Sequence, residues 1–160
     1  MYVTAFSLSL PLIVATSLAL NANVPATRFN KYVVINTPVT YFEAWRGCQY
    51  YGQQLASITT REENEILREL LSKPEYINHT YWIAGTDIGR EGQWVWITSN
   101  EPVVLFTNWG HVGPDDSNIQ DCMTVGQFAD DRTLWDDVDC EKMFHFICER
   151  IPRKPVSRYH

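Results

Sequence analysis

Apolar side chains recur at helical spacing in two stretches of the first half of the chain. The first stretch predicts a helix from Tyr41 to about Tyr51, which Gly52 terminates. The second predicts a helix that opens at Thr60, ends before Pro74 and carries one apolar stripe, formed by Ile66, Leu67, Leu70 and Leu71. Both helices begin at a Thr-x-x-Glu capping box, in which side chains satisfy backbone N–H groups that a helix N-terminus leaves unpaired. The pattern thus predicts two capped amphipathic helices.

Short runs rich in aromatic and β-branched residues predict strands on both sides of these helices. The first run is Phe29–Ile35, a short apolar piece at 55–58 separates the helices, and the remaining runs are 81–85, 93–98, 122–125, 134–138 and 144–148. Between Ser99 and Asp121 the chain shows little periodicity and is rich in Gly, Pro, Asn and Asp. Loops of this length are usually functional or disordered. The sequence therefore points to 99–121 as the segment to examine for function.

The length of 160 residues and a hydrophobic content of 45% fit one packed domain, expected at 27–151 and followed by a flexible basic tail at 152–160. Residues 1–26 contain an apolar run from Ala5 to Leu20 followed by small residues, which is typical of a secretory signal peptide. A retained anchor and a buried segment of the fold are the alternatives for this run. The interpretation adopted is export, with the mature protein extracellular and without stable membrane insertion.

The net charge of -6 argues against nucleic acids and anionic membranes as partners, because their phosphates attract clustered Lys and Arg. The four cysteines, Cys48, Cys122, Cys140 and Cys148, agree with export, since disulfides persist in oxidising compartments. No Cys-x-x-Cys occurs and the histidines are scattered, which argues against a zinc site. Three disulfide pairings are open on this evidence. The sequon at Asn78 is a candidate glycosylation site in an exported protein.

Oxygen donors are dense in the stretch VGPDDSNIQDC, at 112–122, and again in the predicted strand at 134–138. Carboxylate, amide and backbone oxygens are the ligands that calcium takes. The candidate donors from the two segments are Asp115, Asp116, Asn118, Gln120, Asp121, Asp136 and Asp137. A polar loop that only contacts solvent is the alternative reading.

The order of these features resembles the C-type lectin-like domain over about Phe29–Arg150. The motifs that carry the resemblance are YWIAGTD, EGQWVW, IQDC, LWDDVDC and FICE, in that order. The resemblance implies an α+β fold in which two helices flank small antiparallel sheets and a long loop binds the ligand. It also implies that Cys48 pairs with Cys148 and that Cys122 pairs with Cys140, which would join the opening helix to the last strand and pin the base of the loop.

The resemblance further implies a principal calcium site in which the ion also binds sugar hydroxyls. Its matching residues are Asp115, Gln120, Asp136 and Asp137, with Pro114 in the position of a cis proline. Gly113 departs from the family pattern because it has no side-chain ligand, and Gln120 departs because it is neutral. An auxiliary calcium site would use Asp87, Glu91, Asp116 and Asp121.

The function implied by the resemblance is a secreted, calcium-dependent lectin that recognises glycans on microbial or host cell surfaces, as in innate immunity. The family's loop triplet matches Gly113, Pro114 and Asp115 here, and an Asp as its third residue favours galactose-type recognition. The alternative is a domain of the same fold that binds a protein partner without calcium. Catalysis is disfavoured, because Asp136 and Asp137 are adjacent on a strand and point to opposite faces, and no nucleophile set is evident. Several copies, as in a homo-oligomer, would be needed for useful avidity.

Overall fold

A computed structural model describes residues 31–111, 113–114 and 119–151 of the chain. Within these ranges the elements in chain order are β1 Tyr32–Val39, α1 Tyr41–Tyr50, β2 Gln54–Leu55, α2 Arg61–Leu71, β3 Tyr81–Thr86, β4 Val95–Trp96, β5 Glu101–Pro102, β6 Cys122–Val125, β7 Trp135–Val138 and β8 Phe144–Glu149. The fold is α+β, as predicted. The expected signal peptide at 1–26 and the tail at 152–160 lie outside the described residues.

The last strand, β8, lies between β1 and β3 in the sheet and so joins the first and last strands that the structure describes. It pairs antiparallel with β1, where Val34 is opposite Ile147, and parallel with β3, where Trp82 is opposite Phe146. The sheet continues from β3 to β4 and β5. Strand β3 also pairs antiparallel with β6, and β6 pairs antiparallel with β7. Strand β7 of this pair carries the candidate donors Asp136 and Asp137.

The two capping boxes form with different partners. At α1, the backbone N–H and the hydroxyl of Thr40 both donate to Glu43 Oε2 at 2.9 Å. At α2, the Glu63 N–H donates to Thr60 Oγ1 at 3.1 Å, whereas the Glu63 carboxylate accepts from the Thr59 N–H at 2.7 Å rather than from that of Thr60. Lys31 also donates to Glu63. The second box therefore ties the start of α2 to the residue before β1.

Tryptophans of the strands form a large part of the core. Trp82 and Trp135 are fully buried, and Trp94 and Trp96 are nearly so. The indole N–H of Trp82 donates to the Val39 carbonyl at 2.9 Å, which ties the end of β1 to β3 across β8. From α2, Leu67 and Leu71 are buried in the same core, with Ile66 and Leu70 packed at its edge. The apolar stripe of α2 is therefore the face that contacts the sheet.

The predicted strand 93–98 is shorter in the structure, where only Val95–Trp96 forms β4. The chain turns immediately afterwards: the Asn100 N–H donates to the Trp96 carbonyl at 2.8 Å, and Asn100 has a φ of 59°. This left-handed conformation is one that Asn tolerates better than most residues. The turn brings Glu101–Pro102 back to pair with β4 as β5. The segment 99–121 therefore contains one short strand that the sequence pattern did not indicate.

Candidate functional site

The fold contains two disulfides among the described residues, and one of them borders the candidate site. Cys48 on α1 is bonded to Cys148 on β8, and Cys122 at the start of β6 is bonded to Cys140 just after β7. This is the pairing that the family resemblance implies. The second bond closes the β6–β7 pair at one end, so the strand that carries Asp136 and Asp137 is held covalently beside the end of the long loop.

The strands β6 and β7 place the adjacent acids on different sides. Asp137 is opposite Met123 and only 5% exposed, whereas Asp136 is opposite Thr124 and half-buried. The long loop is anchored beside the same strand, because the Trp135 N–H donates to the Asn108 carbonyl at 2.8 Å and the Gly110 N–H donates to the Trp135 carbonyl at 2.9 Å. The loop therefore starts its course next to the two carboxylates.

Gly113 and Pro114 bring the loop back against Asp137. The peptide bond between them is cis. A Cβ atom on Gly113 would lie 3.1 Å from Asp137 Oδ1 and 3.5 Å from the Trp109 ring. The carboxylate of Asp137 thus occupies the space into which a side chain at residue 113 would project. Of the predicted principal donors, Asp137 lies at this corner, Asp136 projects from the other side of β7, and Gln120 is half-buried where the loop returns to β6. Asp115 lies outside the described residues.

Gln127 is a site residue that the sequence analysis missed. Its side-chain amide donates to Asp136 Oδ2 at 2.6 Å and to Thr124 Oγ1 at 3.1 Å. One oxygen of Asp136 is therefore held by a neutral donor from the β6–β7 connection. A single polar residue in an irregular segment gives no periodic or motif signal, so the sequence could not have singled it out.

The predicted auxiliary set is partly assembled at the end of β3. The Asp87 N–H donates to the Asp121 carbonyl at 3.2 Å, and the Thr86 hydroxyl donates to the same carbonyl at 2.6 Å. Asp87 is 3% exposed; its Oδ2 accepts the Gly92 N–H at 2.9 Å, while its buried Oδ1 has no hydrogen-bond partner. Burial, followed by the charges of Asp121 and Asp137, raises the pKa of Asp87 above its ordinary value.

The other two members of the auxiliary set are placed differently. Glu91 is exposed in the turn between β3 and β4, and Asp116 lies outside the described residues. Across residues 31–111, 113–114 and 119–151, no three Asp, Glu, His or Cys side chains converge as ligands of one metal ion. The chemistry of the donors nevertheless fits a hard cation, because Asp87 presents a buried carboxylate oxygen without a partner close to two further acids. Both calcium sites stay predictions.

The aromatic rings near the base of the loop differ in how deeply they are buried. Trp109 packs against Trp94 and Trp135, with ring centroids 4.7 and 5.6 Å apart, so it lies half-buried at the edge of the core. Phe128 lies so close to Gly110 that a Cβ there would be 2.4 Å from the phenyl ring. His111 touches Phe128 edge-on and is mostly exposed. The outer rings at the base of the loop are therefore those of Phe128 and His111.

His111 also contacts an acid from the β6–β7 connection. Its Nε2 lies 3.0 Å from Asp130 Oδ2, and this hydrogen bond lowers the pKa of Asp130. Both side chains are exposed, so the pair holds the loop only weakly.

A buried threonine connects α2 with the loop and the site strand. Thr133, fully buried just before β7, accepts side-chain N–H groups from Asn64 at 3.1 Å and Arg68 at 3.1 Å. Asn108 donates to both the carbonyl and the hydroxyl of Thr133, at 2.8 and 3.2 Å. Asp131 accepts the Thr133 N–H and hydroxyl and forms two hydrogen bonds with Arg68. The loop base at Asn108 is thereby joined to helix α2.

Comparison with known families decides what this arrangement is. The family model of the C-type lectin domain matches residues 37–150. The chain belongs to the C-type lectin domain family. The matched range begins within β1 and ends just after β8, so it contains both disulfides, the long loop and every element described above except the first residues of β1. Members of this family are lectins rather than enzymes, and the chain is accordingly a binding protein.

Individual relatives agree with this assignment. Perlucin of Haliotis laevigata is 32% identical over 71% of this chain and 72% of its own length. An alpha-N-acetylgalactosamine-specific lectin of Patiria pectinifera is 30% identical over 75% of this chain and 73% of its own. Among solved structures, a calcium-independent type II antifreeze protein aligns with a TM-score of 0.63 and 27% identity, over 74% of this chain and 84% of the other.

The described part of this C-type lectin domain contains no helix that is long and apolar enough to cross a membrane. Asn78, the predicted glycosylation residue, is exposed in the turn before β3.

Proposed function

We propose that this protein is a secreted, calcium-dependent lectin whose long loop and β7 bind galactose-type sugars on cell-surface or microbial glycans. Membership of a carbohydrate-binding family supports the general class. The galactose preference is supported by Asp115 in the loop triplet and by the similarity to a lectin specific for alpha-N-acetylgalactosamine. Export is supported by the apolar run at 5–20 and by the two disulfides.

The observation that carries the calcium proposal is the state of Asp87. A carboxylate that is almost completely buried, with one oxygen unpartnered and the charges of Asp121 and Asp137 nearby, is costly to keep ionised. A cation at this position removes that cost. The hard oxygen donors match calcium better than a transition metal, which would prefer imidazole or thiolate ligands.

The roles of the residues follow from this placement. Asp87 and Asp121 would hold an ion at the end of β3, with Asp116 and Glu91 completing the predicted auxiliary set. Asp137 lies where the two predicted sites approach each other. A bound calcium ion would supply a centre of positive charge that attracts sugar hydroxyls.

At the principal site, Asp136 and Asp137 would bind the ion together with Asp115 and Gln120. Gly113 adds no ligand of its own, but it allows Asp137 to lie against the loop. Gln127 orients Asp136. The Phe128 ring packs against Gly110 and provides an apolar surface at the base of the loop.

The decisive experiment is titration of CaCl2 into metal-free protein, followed by chromatography on immobilised galactose and mannose. We expect saturable calcium binding, a rise in melting temperature and EDTA-sensitive retention on galactose, with the retention on galactose lost in Asp137→Asn. Glu141→Gln is the matched control, because it removes one exposed carboxylate beyond the second disulfide. Absence of both heat and thermal stabilisation in the wild-type protein would refute calcium dependence, since a ligand bound only by the folded state must stabilise it.

A second function is favoured by one observation. Gly113 offers no side-chain ligand, and one oxygen of Asp136 already accepts the Gln127 amide, so the principal site has fewer available side-chain oxygens than the family pattern requires. A domain that binds a protein partner without calcium would have no need of those donors, and the similarity to a calcium-independent antifreeze protein supports this alternative. Ligand retention that is equal in EDTA and in CaCl2 would favour it.

The same preparation tests the remaining proposals about processing. N-terminal sequencing of protein secreted from a eukaryotic host should begin near residue 27 if 1–26 is a cleaved signal peptide. A mass shift removed by glycosidase, and absent in Asn78→Gln, would establish a glycan at Asn78.

A further inference from the structure

Two histidines that are distant in sequence lie side by side at the start of β3. His145 on β8 is paired with Tyr81 in the parallel β3–β8 register, and His79 precedes Tyr81 by two residues. The imidazole rings of His79 and His145 have centroids 4.5 Å apart and planes inclined at 73°. His79 is exposed and His145 is half-buried, so the pair borders on solvent.

The state of His145 suits a metal ligand. Its Nδ1 is buried and has no hydrogen-bond partner. Burial, followed by the charge of His79, lowers the pKa of His145, which keeps the imidazole neutral at neutral pH. The neutral ring is the form that binds metals, so proton competition is weak. A buried nitrogen without a partner is also an unfavourable state that a metal ion can relieve.

We propose that His79 and His145 together bind one divalent transition-metal ion, with Cu2+ bound most tightly and water completing the coordination shell. Metal–nitrogen bonds of about 2.0–2.1 Å place two imidazole rings in cis positions with centroids about 4.5–5.2 Å apart. The observed 4.5 Å lies at the lower end of this range, and the exposed His79 ring can rotate to admit the ion. Imidazole suits Cu2+, Zn2+ and Ni2+, and Cu2+ has the highest affinity in this series.

The residues around the histidine pair affect how tightly it binds a metal ion, and its position separates it from the proposed calcium site at Asp87. The Arg132 guanidinium donates to the His79 carbonyl, which fixes the backbone of His79 but brings a positive charge that weakens cation binding. Two protein ligands and this charge predict a weaker site than a closed zinc site. The pair lies at the opposite end of β3 from Asp87, about 17–20 Å away at roughly 3.3 Å per residue. Calcium prefers oxygen ligands and would not compete.

The test is titration of CuCl2 into the full chain in the presence of excess CaCl2, followed by calorimetry and electron paramagnetic resonance. We expect one equivalent of Cu2+ with two coordinated nitrogens. His79→Gln and His145→Gln should each weaken binding at least about tenfold and remove one nitrogen from the spectrum. His111→Gln is the matched control, because His111 is an exposed histidine on the long loop and its loss should leave Cu2+ binding unchanged.

Because His79 is exposed, we expect His79→Gln to fold. This variant therefore tests the proposal even if His145→Gln does not fold. The proposal is overturned if the wild-type protein binds no Cu2+, or if His79→Gln binds it with wild-type affinity. A loss in His111→Gln equal to that in His79→Gln would also overturn it, since binding would then not depend on the pair.

Discussion

The loop residue Gly113 lies directly against the carboxylate of Asp137, so that a Cβ atom at residue 113 would stand 3.1 Å from Oδ1. That separation is tighter than ordinary van der Waals contact, and Asp137 is buried with little room to move. The absence of a side chain at residue 113 therefore sets the position of Asp137. This relationship connects a departure from the family pattern with a proposed ligand of the principal calcium site.

Gly113→Ala should weaken calcium binding several-fold, because the added methyl group displaces the Asp137 carboxylate by a few tenths of an ångström. The loss of stability in EDTA should stay below about 1 kcal/mol, since only one contact is altered. Calcium titration and thermal unfolding in EDTA measure the two effects. Gly89→Ala is the control, because a Cβ at residue 89 meets nothing within 4 Å. Equal calcium affinity in the two variants would contradict the role assigned to Gly113.

The raised pKa of Asp87 predicts how the stability of the calcium-free protein depends on pH. This pKa is raised in the folded state by burial and by Asp121 and Asp137, so the folded protein holds this proton more tightly than the unfolded chain. The stabilising contribution of protonated Asp87 is therefore complete below the unfolded pKa and is lost as pH rises through the folded pKa. Asp87→Asn should remove this loss and raise stability in EDTA at neutral pH.

The measurement is chemical unfolding in EDTA from pH 3 to pH 7 for wild type, Asp87→Asn and the exposed-residue control Glu75→Gln. The difference between wild type and Asp87→Asn isolates this group from carboxyls such as Asp130 and Asp131, whose lowered pKa values produce the opposite slope. In CaCl2 the order should reverse, because the variant lacks a ligand. A variant that is less stable than wild type in EDTA at pH 7 would show that Asp87 carries no uncompensated charge.

Gln127 provides a test of whether Asp136 is a calcium ligand. Gln127→Glu puts a second carboxylate beside Asp136 Oδ2, where the amide now donates at 2.6 Å. Repulsion between the two should lower stability in EDTA by about 0.5–1 kcal/mol, a small value because residue 127 is exposed. If Asp136 binds calcium, saturating CaCl2 should cancel this loss. Gln93→Glu controls for the change in net charge, and a loss that persists in CaCl2 would argue against Asp136 as a ligand.

The elements that could be predicted from sequence are those that local patterns determine. Leu67 and Leu71 repeat at helical spacing and are buried as expected, and the tryptophans of the motif strands enter the core. The site was predictable only where a motif covered it. Asp136 and Asp137 stand in such a motif, and the structure places them beside the loop.

The rest depends on contacts between distant segments, which leave no periodic signal. Arg68 and Asp131 are 63 residues apart, and their hydrogen bonds follow only from the packing of α2 against the β6–β7 connection. Gln127 belongs to the same connection. The strand β5 was missed because it has only two residues and depends on the turn at Asn100.

The two disulfides should contribute unequally to stability. The Cys122–Cys140 bond spans 18 residues and the Cys48–Cys148 bond spans 100. Loop-closure entropy predicts a loss of about 3 kcal/mol on removing the shorter bond and about 4.7 kcal/mol for the longer one. Double Cys→Ala variants measured by denaturant unfolding test this. Calcium affinity should fall more in the variant of the shorter bond, which borders the site, and the reverse order would contradict that bond's role at the loop base.

Thr133 should be the most sensitive buried polar residue near the site. Thr133→Val keeps the shape of the side chain but leaves the Asn64 amide and one Arg68 N–H without the acceptor they now share at 3.1 Å. Unpaired buried donors cost about 1–3 kcal/mol each, so the expected loss is about 2–3 kcal/mol after partial hydration of Arg68. Asn108 retains the Thr133 carbonyl, which limits the loss. Denaturant unfolding measures it.

The loop should respond to the same substitution. With one of its two acceptors gone, Asn108 holds the loop base less firmly, and amide hydrogen exchange at 108–110 should accelerate more than exchange in β1. Thr107→Val is the control, because Thr107 is exposed and next to Asn108. If both substitutions changed stability and exchange equally, Thr133 would be an ordinary packing residue. A selective effect of Thr133→Val would establish that helix α2 supports the loop through this hydroxyl.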